Sequence, residues 1–185
     1  MKKLLLIAVL LPAFCFALAA QEDQAITFHA RLRGLNEVPP VATEGMGSFS
    51  ATLSSDGTTL TYKETFSNLN APILFSHIHF GLPREATGIM VFLCGPAAGS
   101  PGGPPSGTPN PPACPGPTSG TVTGSVTAAN VIGPNAQGIT PGADFDKVVR
   151  ALREGAAYVN LHTMRSPSGE IRGQVRPGAE QAQDQ

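Results

Sequence analysis

Residues 46–66 read MGSFSATLSSDGTTLTYKETF, and the alternation in this stretch decides the fold class. Along 46–53, Met46, Ser48, Ser50 and Thr52 fall on one side of an extended chain, and Phe49, Ala51 and Leu53 fall on the other. A period of two marks a strand with one wet face and one buried face. Asp56 and Gly57 sit at the centre of 54–58. An aspartate that bonds its own backbone and a glycine free to take positive φ make a hairpin turn there. The alternation resumes along 59–66, with Leu60, Tyr62, Glu64 and Phe66 set against threonines and Lys63. Two strands joined by a tight turn begin an antiparallel meander.

The pattern extends in both directions. Upstream, Ile26, Phe28, Ala30 and Leu32 alternate with Thr27, His29, Arg31 and Arg33, and His29 reads as a solvated residue of the polar face. In 36–41, Pro39 and Pro40 make a rigid turn, because proline fixes φ and cannot donate to a ladder. Downstream, 73–80, 88–93, 120–128, 157–162 and 169–175 read as further strands. One short helix is expected near 144–154: Asp144 stands at its cap, Phe145, Val148, Val149 and Leu152 keep helical spacing, and Gly155 stops it. Many short strands with one short helix predict a mainly β chain, an antiparallel sandwich or barrel of Greek-key-like type.

The N-terminus carries Lys2 and Lys3, an apolar run over 4–18 and small residues at Ala17, Ala19 and Ala20. These are the parts of a cleavable signal peptide over 1–20. The run is short for a membrane span and holds Pro12, so no transmembrane anchor is expected after cleavage. Phe14 occupies the place where a lipoprotein signal has a small residue, which argues against lipidation of Cys15. The expected product is a secreted or periplasmic single domain over 21–176, followed by a disordered tail at 177–185.

The chain has 12 Lys and Arg against 13 Asp and Glu, and loss of the leader removes two of the lysines. With no basic stripe, a nucleic-acid partner is not expected. Beyond the leader the cysteines are Cys94 and Cys114, and an even pair in an oxidising compartment predicts a disulfide. The loop it would close is rich in proline and glycine across 95–119 and cannot build a core of its own. A cysteine-based metal site would need a third soft ligand, which the nearby sequence lacks.

The chemistry lies in the polar residues of three strands. In Ser76-His-Ile-His-Phe80, His77 and His79 share a face while Ile78 takes the other. Asn160 and His162 repeat the device, and Glu170, Arg172 and Gln174 oppose Ile171 and Val175. If these strands are neighbours, one sheet face collects all of these groups. Imidazoles suit copper or zinc, and His77, His79 and His162 make a set of three ligands with one position open. Glu37, Asn160, Glu170 or Arg172 would then serve as a fourth ligand or as outer partners that orient the imidazoles. In the alternative reading, the histidines bond to Glu170, Asn160 and backbone carbonyls and hold strand register without binding anything.

Catalytic residues are not expected. Ser76 and Thr163 adjoin histidines but point to the opposite face, no glycine-rich phosphate loop precedes a helix, and Glu170 lacks a second carboxylate for acid–base work.

Phe28-His-Ala-Arg-Leu, Asn36-Glu-Val-Pro-Pro-Val, Ser76-His-Ile-His-Phe-Gly, Ala157-Tyr-Val-Asn-Leu-His-Thr and Gly169-Glu-Ile-Arg-Gly-Gln together resemble the CHRD domain, the module first described in chordin and found alone in exported bacterial proteins. The resemblance runs over 25–176, with the proline-rich loop as an insertion. Glu37, His77, His79, Gly81, Asn160, His162, Glu170 and Arg172 are the positions that match. It implies an exported binding or structural module of the cell envelope, with a protein or envelope partner, and no settled activity. A weaker similarity to copper/zinc superoxide dismutases rests on His-X-His in a β-strand. The further histidines and aspartate of a bridged two-metal site are missing here.

Overall fold

The structure is a computed structural model that describes residues 25–178. The expected leader over 1–20 and the residues past 178 lie outside the described residues. Eight strands run β1 (Thr27–Arg33), β2 (Met46–Leu53), β3 (Leu60–Ser67), β4 (Ile73–Phe80), β5 (Ile89–Cys94), β6 (Gly120–Val126), β7 (Ala157–Thr163) and β8 (Ile171–Gln174). They form one antiparallel sheet in the order β5-β4-β7-β8-β1-β2-β3-β6. A ninth, β9 (Arg176–Pro177), pairs with β1.

The hairpin at the heart of the sequence forms as expected. Gly57 takes φ +72°, Ser54 N donates to Thr59 O at 2.8 Å, and Asp56 Oδ1 accepts from Thr58 N at 3.0 Å. The alternation on either side of it fills the interior. Phe28, Leu32, Phe49, Leu53, Leu60 and Tyr62 are buried, together with Ile78, Val159, Leu161 and Ile171 from the other half of the sheet. Tyr62 Oη donates to Leu93 O at 2.5 Å and Ser76 Oγ donates to Glu64 Oε1 at 2.8 Å. Both bonds join β3, near one end of the strand order, to β4 and β5 at the other end. A sheet whose distant strands meet across the interior has curled nearly into a barrel.

One half of this barrel departs from simple alternation. An antiparallel strand with one solvated face alternates buried and exposed, and β1 does so strictly. Every residue of β7 is buried, as are 76–79 in β4 and 90–94 in β5. Their outer faces are therefore covered by loops, and polar side chains on that face are buried with them.

Cys94 and Cys114 form the expected disulfide, with Cα atoms 4.9 Å apart. The proline-rich loop it closes is folded into tight turns, with Gly99 N donating to Pro104 O at 2.8 Å and Ala98 N to Asn110 Oδ1 at 2.8 Å.

Two expectations need correction. The helix is α1 (Phe145–Arg153), but the Asp144 side chain does not cap it. Its Oδ2 instead accepts from Thr140 N at 2.7 Å and Lys147 Nζ at 2.8 Å, because the backbone at Asp144 turns the carboxylate toward the preceding turn. Ordered pairing also continues past 176. Pro177 pairs with Phe28, and Gly178 N donates to Thr27 O at 2.9 Å, since β1 leaves that edge open beyond the end of β8.

Candidate metal centre

Strand order settles whether the polar faces meet. β4, β7 and β8 are consecutive neighbours, and their register sets His77 opposite Asn160 and Asn160 opposite Arg172. One step along, His79 lies opposite Tyr158 and Tyr158 opposite Gln174. Phe75 stands opposite His162. Even positions of β7 and β8 and odd positions of β4 thus share the covered outer face.

On this face His77, His79 and His162 come together, each offering a ring nitrogen, and those nitrogens all lie within 4.8 Å of one another. The three residues are only 2%, 7% and 7% exposed. His79 Nδ1 is 2.9 Å from Thr87 O, and His162 Nδ1 is 3.0 Å from Pro167 O. A carbonyl only accepts, so each Nδ1 carries the proton and each Nε2 is left with a bare lone pair. Both Nε2 atoms, and His77 Nδ1, are buried without a hydrogen-bond partner. Orphaned buried nitrogens are rare in folded proteins, and here each of the three grouped imidazoles carries one.

The electrostatics agree. Burial lowers the His79 and His162 pKa values to about 4. Burial, reinforced by the two neighbouring imidazoles, holds His77 well below its ordinary value. All three rings are neutral near pH 7, the form that ligates a metal. Around an ion about 2.0 Å from each nitrogen, tetrahedral ligands would stand about 3.3 Å apart, so the rings would have to draw in from separations of up to 4.8 Å.

The remaining predicted residues divide. Asn160 Nδ2 donates to Glu37 Oε1 at 2.6 Å, and Glu37 is 6% exposed, with burial raising its carboxyl to about 7 against the opposing charge of Arg172. Gly169, at φ +127°, packs against this pair, and a Cβ there would lie 2.6 Å from Asn160 Nδ2 and 2.7 Å from Glu37 Oε1. Arg172 lies over the Tyr158 ring, 3.3 Å from its centroid. It donates to Glu85 O at 2.6 Å and Leu82 O at 3.2 Å. Glu170 goes elsewhere. Its Oε1 accepts from Thr43 Oγ1 and Asn70 N, and its Oε2 from Thr163 Oγ1, at 2.7–2.8 Å. Regular pairing in β8 starts only at Ile171, so the alternation that put Glu170 beside the histidines does not reach it.

Several residues of the site escaped the sequence reading. Tyr158 and Phe75 were legible in principle, because they keep the same alternation as His162 and His77. Phe75 lies 4.8 Å, centroid to centroid, from both His77 and His162, and Phe92 lies 4.3 Å from His77. Thr87 and Pro167 act through backbone carbonyls, which side-chain identity does not advertise.

Fold and site together define a small antiparallel β-barrel domain with a buried three-imidazole cluster on its outer face. The family model for the CHRD domain matches residues 28–175, and the chain belongs to the CHRD domain family. No curated protein and no solved structure matches it.

Proposed function

We propose that this CHRD domain is an exported, non-catalytic module that binds one copper or zinc ion through His77, His79 and His162. The observation that carries this reading is the grouping of three buried imidazoles, each with one ring nitrogen that has no hydrogen-bond partner. Two of these nitrogens are exposed as lone pairs by backbone carbonyls that hold the opposite ring proton. Outer-shell acceptors of this kind usually accompany metal-bound histidines.

The alternative of a purely structural network leaves those nitrogens unaccounted for. Glu170 uses both oxygens on Thr43, Asn70 and Thr163, and Asn160 donates to Glu37. Export is supported by the leader-like sequence over 1–20 and by the disulfide, which persists in oxidising compartments. Among the described residues no helix is long and apolar enough to cross a membrane. In this reading the partner is a protein or component of the envelope, which the bound ion either stabilises the domain to meet or is delivered to.

The test is metal content and affinity of the tag-free protein beside a His77→Ala, His79→Ala, His162→Ala triple variant. One equivalent of metal, lost in the folded variant, supports the reading. A folded wild-type protein with no affinity for copper or zinc rejects it.

A further inference from the structure

The charge balance around the three imidazoles bears on which ion they suit. The grouped ligand atoms are all imidazole nitrogens, with no carboxylate or thiolate among them. The carboxylates of Glu37 and Glu170 are engaged with Asn160 and with Thr43, Asn70 and Thr163. The walls are aromatic. Phe75 packs on His77 and His162, Phe92 stands edge-on to His77, and Tyr158 stacks on His79.

Behind Phe75 lies the disulfide-closed loop. A Cβ on Gly95 would lie 3.1 Å from Phe75 Cβ, and one on Gly102 would lie 3.2 Å from Phe75 Cε1. The loop backbone therefore rests on the ring that covers two of the imidazoles. On the far side, the Arg172 guanidinium lies on the Tyr158 ring that stacks on His79, adding a positive charge one ring away from the ligands.

The cost of burying an ion rises with the square of its charge, and a neutral ligand set returns none of it by charge neutralisation. A dication here keeps both charges in a setting walled by aromatic rings. A monocation carries about a quarter of that penalty, and copper is the imidazole-binding metal that offers one.

Resting on the metal-site reading above, we infer that the physiological ligand of the His77, His79 and His162 cluster is the cuprous ion, bound in preference to zinc and cupric ions. Phe75 is the residue that enforces the preference. It is half-buried, so it can be changed without opening the core.

The experiment compares three probes on the disulfide-intact protein. Cu⁺ is supplied anaerobically with ascorbate as its bicinchoninate complex, and Zn²⁺ and Cu²⁺ are titrated against chromophoric chelators. The expected result is Cu⁺ binding tighter than either dication by about a hundredfold or more. In Phe75→Asp, which sets a carboxylate against His77 and His162, that ratio should shrink by about tenfold or more.

A dication bound as tightly as Cu⁺ by the wild-type protein overturns this inference and leaves the metal site standing. An unchanged ratio in folded Phe75→Asp overturns it as well, because the apolar wall is then not the cause. No binding of any of the three ions by folded protein overturns both this inference and the proposed function. The wild-type comparison decides the matter even if Phe75→Asp does not fold.

Discussion

The Tyr158 ring lies parallel to the His79 imidazole, with centroids 4.6 Å apart and an interplanar angle of 4°. The same tyrosine hydroxyl accepts from Thr87 N at 3.1 Å, and Thr87 O accepts the Nδ1 proton of His79. Tyr158 therefore holds His79 twice, directly through the stack and indirectly through the carbonyl that sets its tautomer. Arg172 closes the arrangement by gripping the Leu82 and Glu85 carbonyls of the same loop.

Tyr158→Phe keeps the stack and leaves Thr87 N without its acceptor. Metal affinity should fall by about tenfold, and Tyr158→Leu, which loses the stack too, should cost about a hundredfold. Competition titration measures both. Equal affinities in wild type and Tyr158→Leu would show that His79 is held without this residue.

Metal binding should raise the unfolding midpoint of the wild-type protein. At free metal about a hundred times the dissociation constant, the gain is about 2.7 kcal/mol. The His77, His79, His162 triple alanine variant should gain nothing. Thermal unfolding with and without Cu⁺ or Zn²⁺ reads the difference, and an equal rise in the variant places binding elsewhere.

Glu170→Ala separates architecture from ligation. Its loss leaves Thr43 Oγ1, Asn70 N and Thr163 Oγ1 without their acceptor, at a cost of roughly 3 kcal/mol in unfolding free energy. Metal stoichiometry in the folded fraction should stay at one. A stoichiometry of zero in well-folded protein would make Glu170 a participant in binding after all.

Stability should depend on pH through Glu64. Burial raises its carboxyl from 4.5 to about 7, with Oε1 accepting from Ser76 and Oε2 buried without a partner. The folded protein thus keeps a proton that the unfolded chain has released. The contribution of Glu64 is greatest below the unfolded value, declines as pH rises toward about 7, and levels off above it, with a total loss of about 3 kcal/mol from this group. Glu37 is raised in the same direction, whereas His77, His79 and His162, lowered by burial, add stability as pH rises through the range below 6.5. The Glu64 effect is therefore read as a difference: the urea midpoint of Glu64→Gln should gain on that of the wild type as pH rises from about 5 to about 8. A difference between the two proteins that does not change with pH would show that Glu64 does not hold its proton in the fold.

Opening the disulfide in a Cys94→Ser, Cys114→Ser variant should lower stability by roughly 3 kcal/mol, because the unfolded chain regains the freedom of a 20-residue loop. Urea unfolding measures it. A loss well under 1 kcal/mol would mean that the loop's own turns already restrict the chain.

Local sequence determined a good part of this protein. Side chains alternate along any extended chain, so residues 46–66 disclosed two strands and their hairpin. The same rule set His77 and His79 on one face, and Asn160 and His162 on another, before any contact was known. The cysteine pair was legible too, since two cysteines downstream of a leader-like segment point to a disulfide.

What alternation cannot supply is adjacency. Only the strand order β4-β7-β8 brings His162 to His77 and His79, because long-range pairing depends on the burial of the whole sheet rather than on any one strand. Tertiary structure also sent Glu170 away to Thr163, Thr43 and Asn70, since the regular ladder of β8 begins one residue later. It likewise left the Asp144 carboxylate with Thr140 and Lys147. The carbonyls of Thr87 and Pro167 that orient two imidazoles belong to backbone shared by every residue type, and only the fold decides where they point.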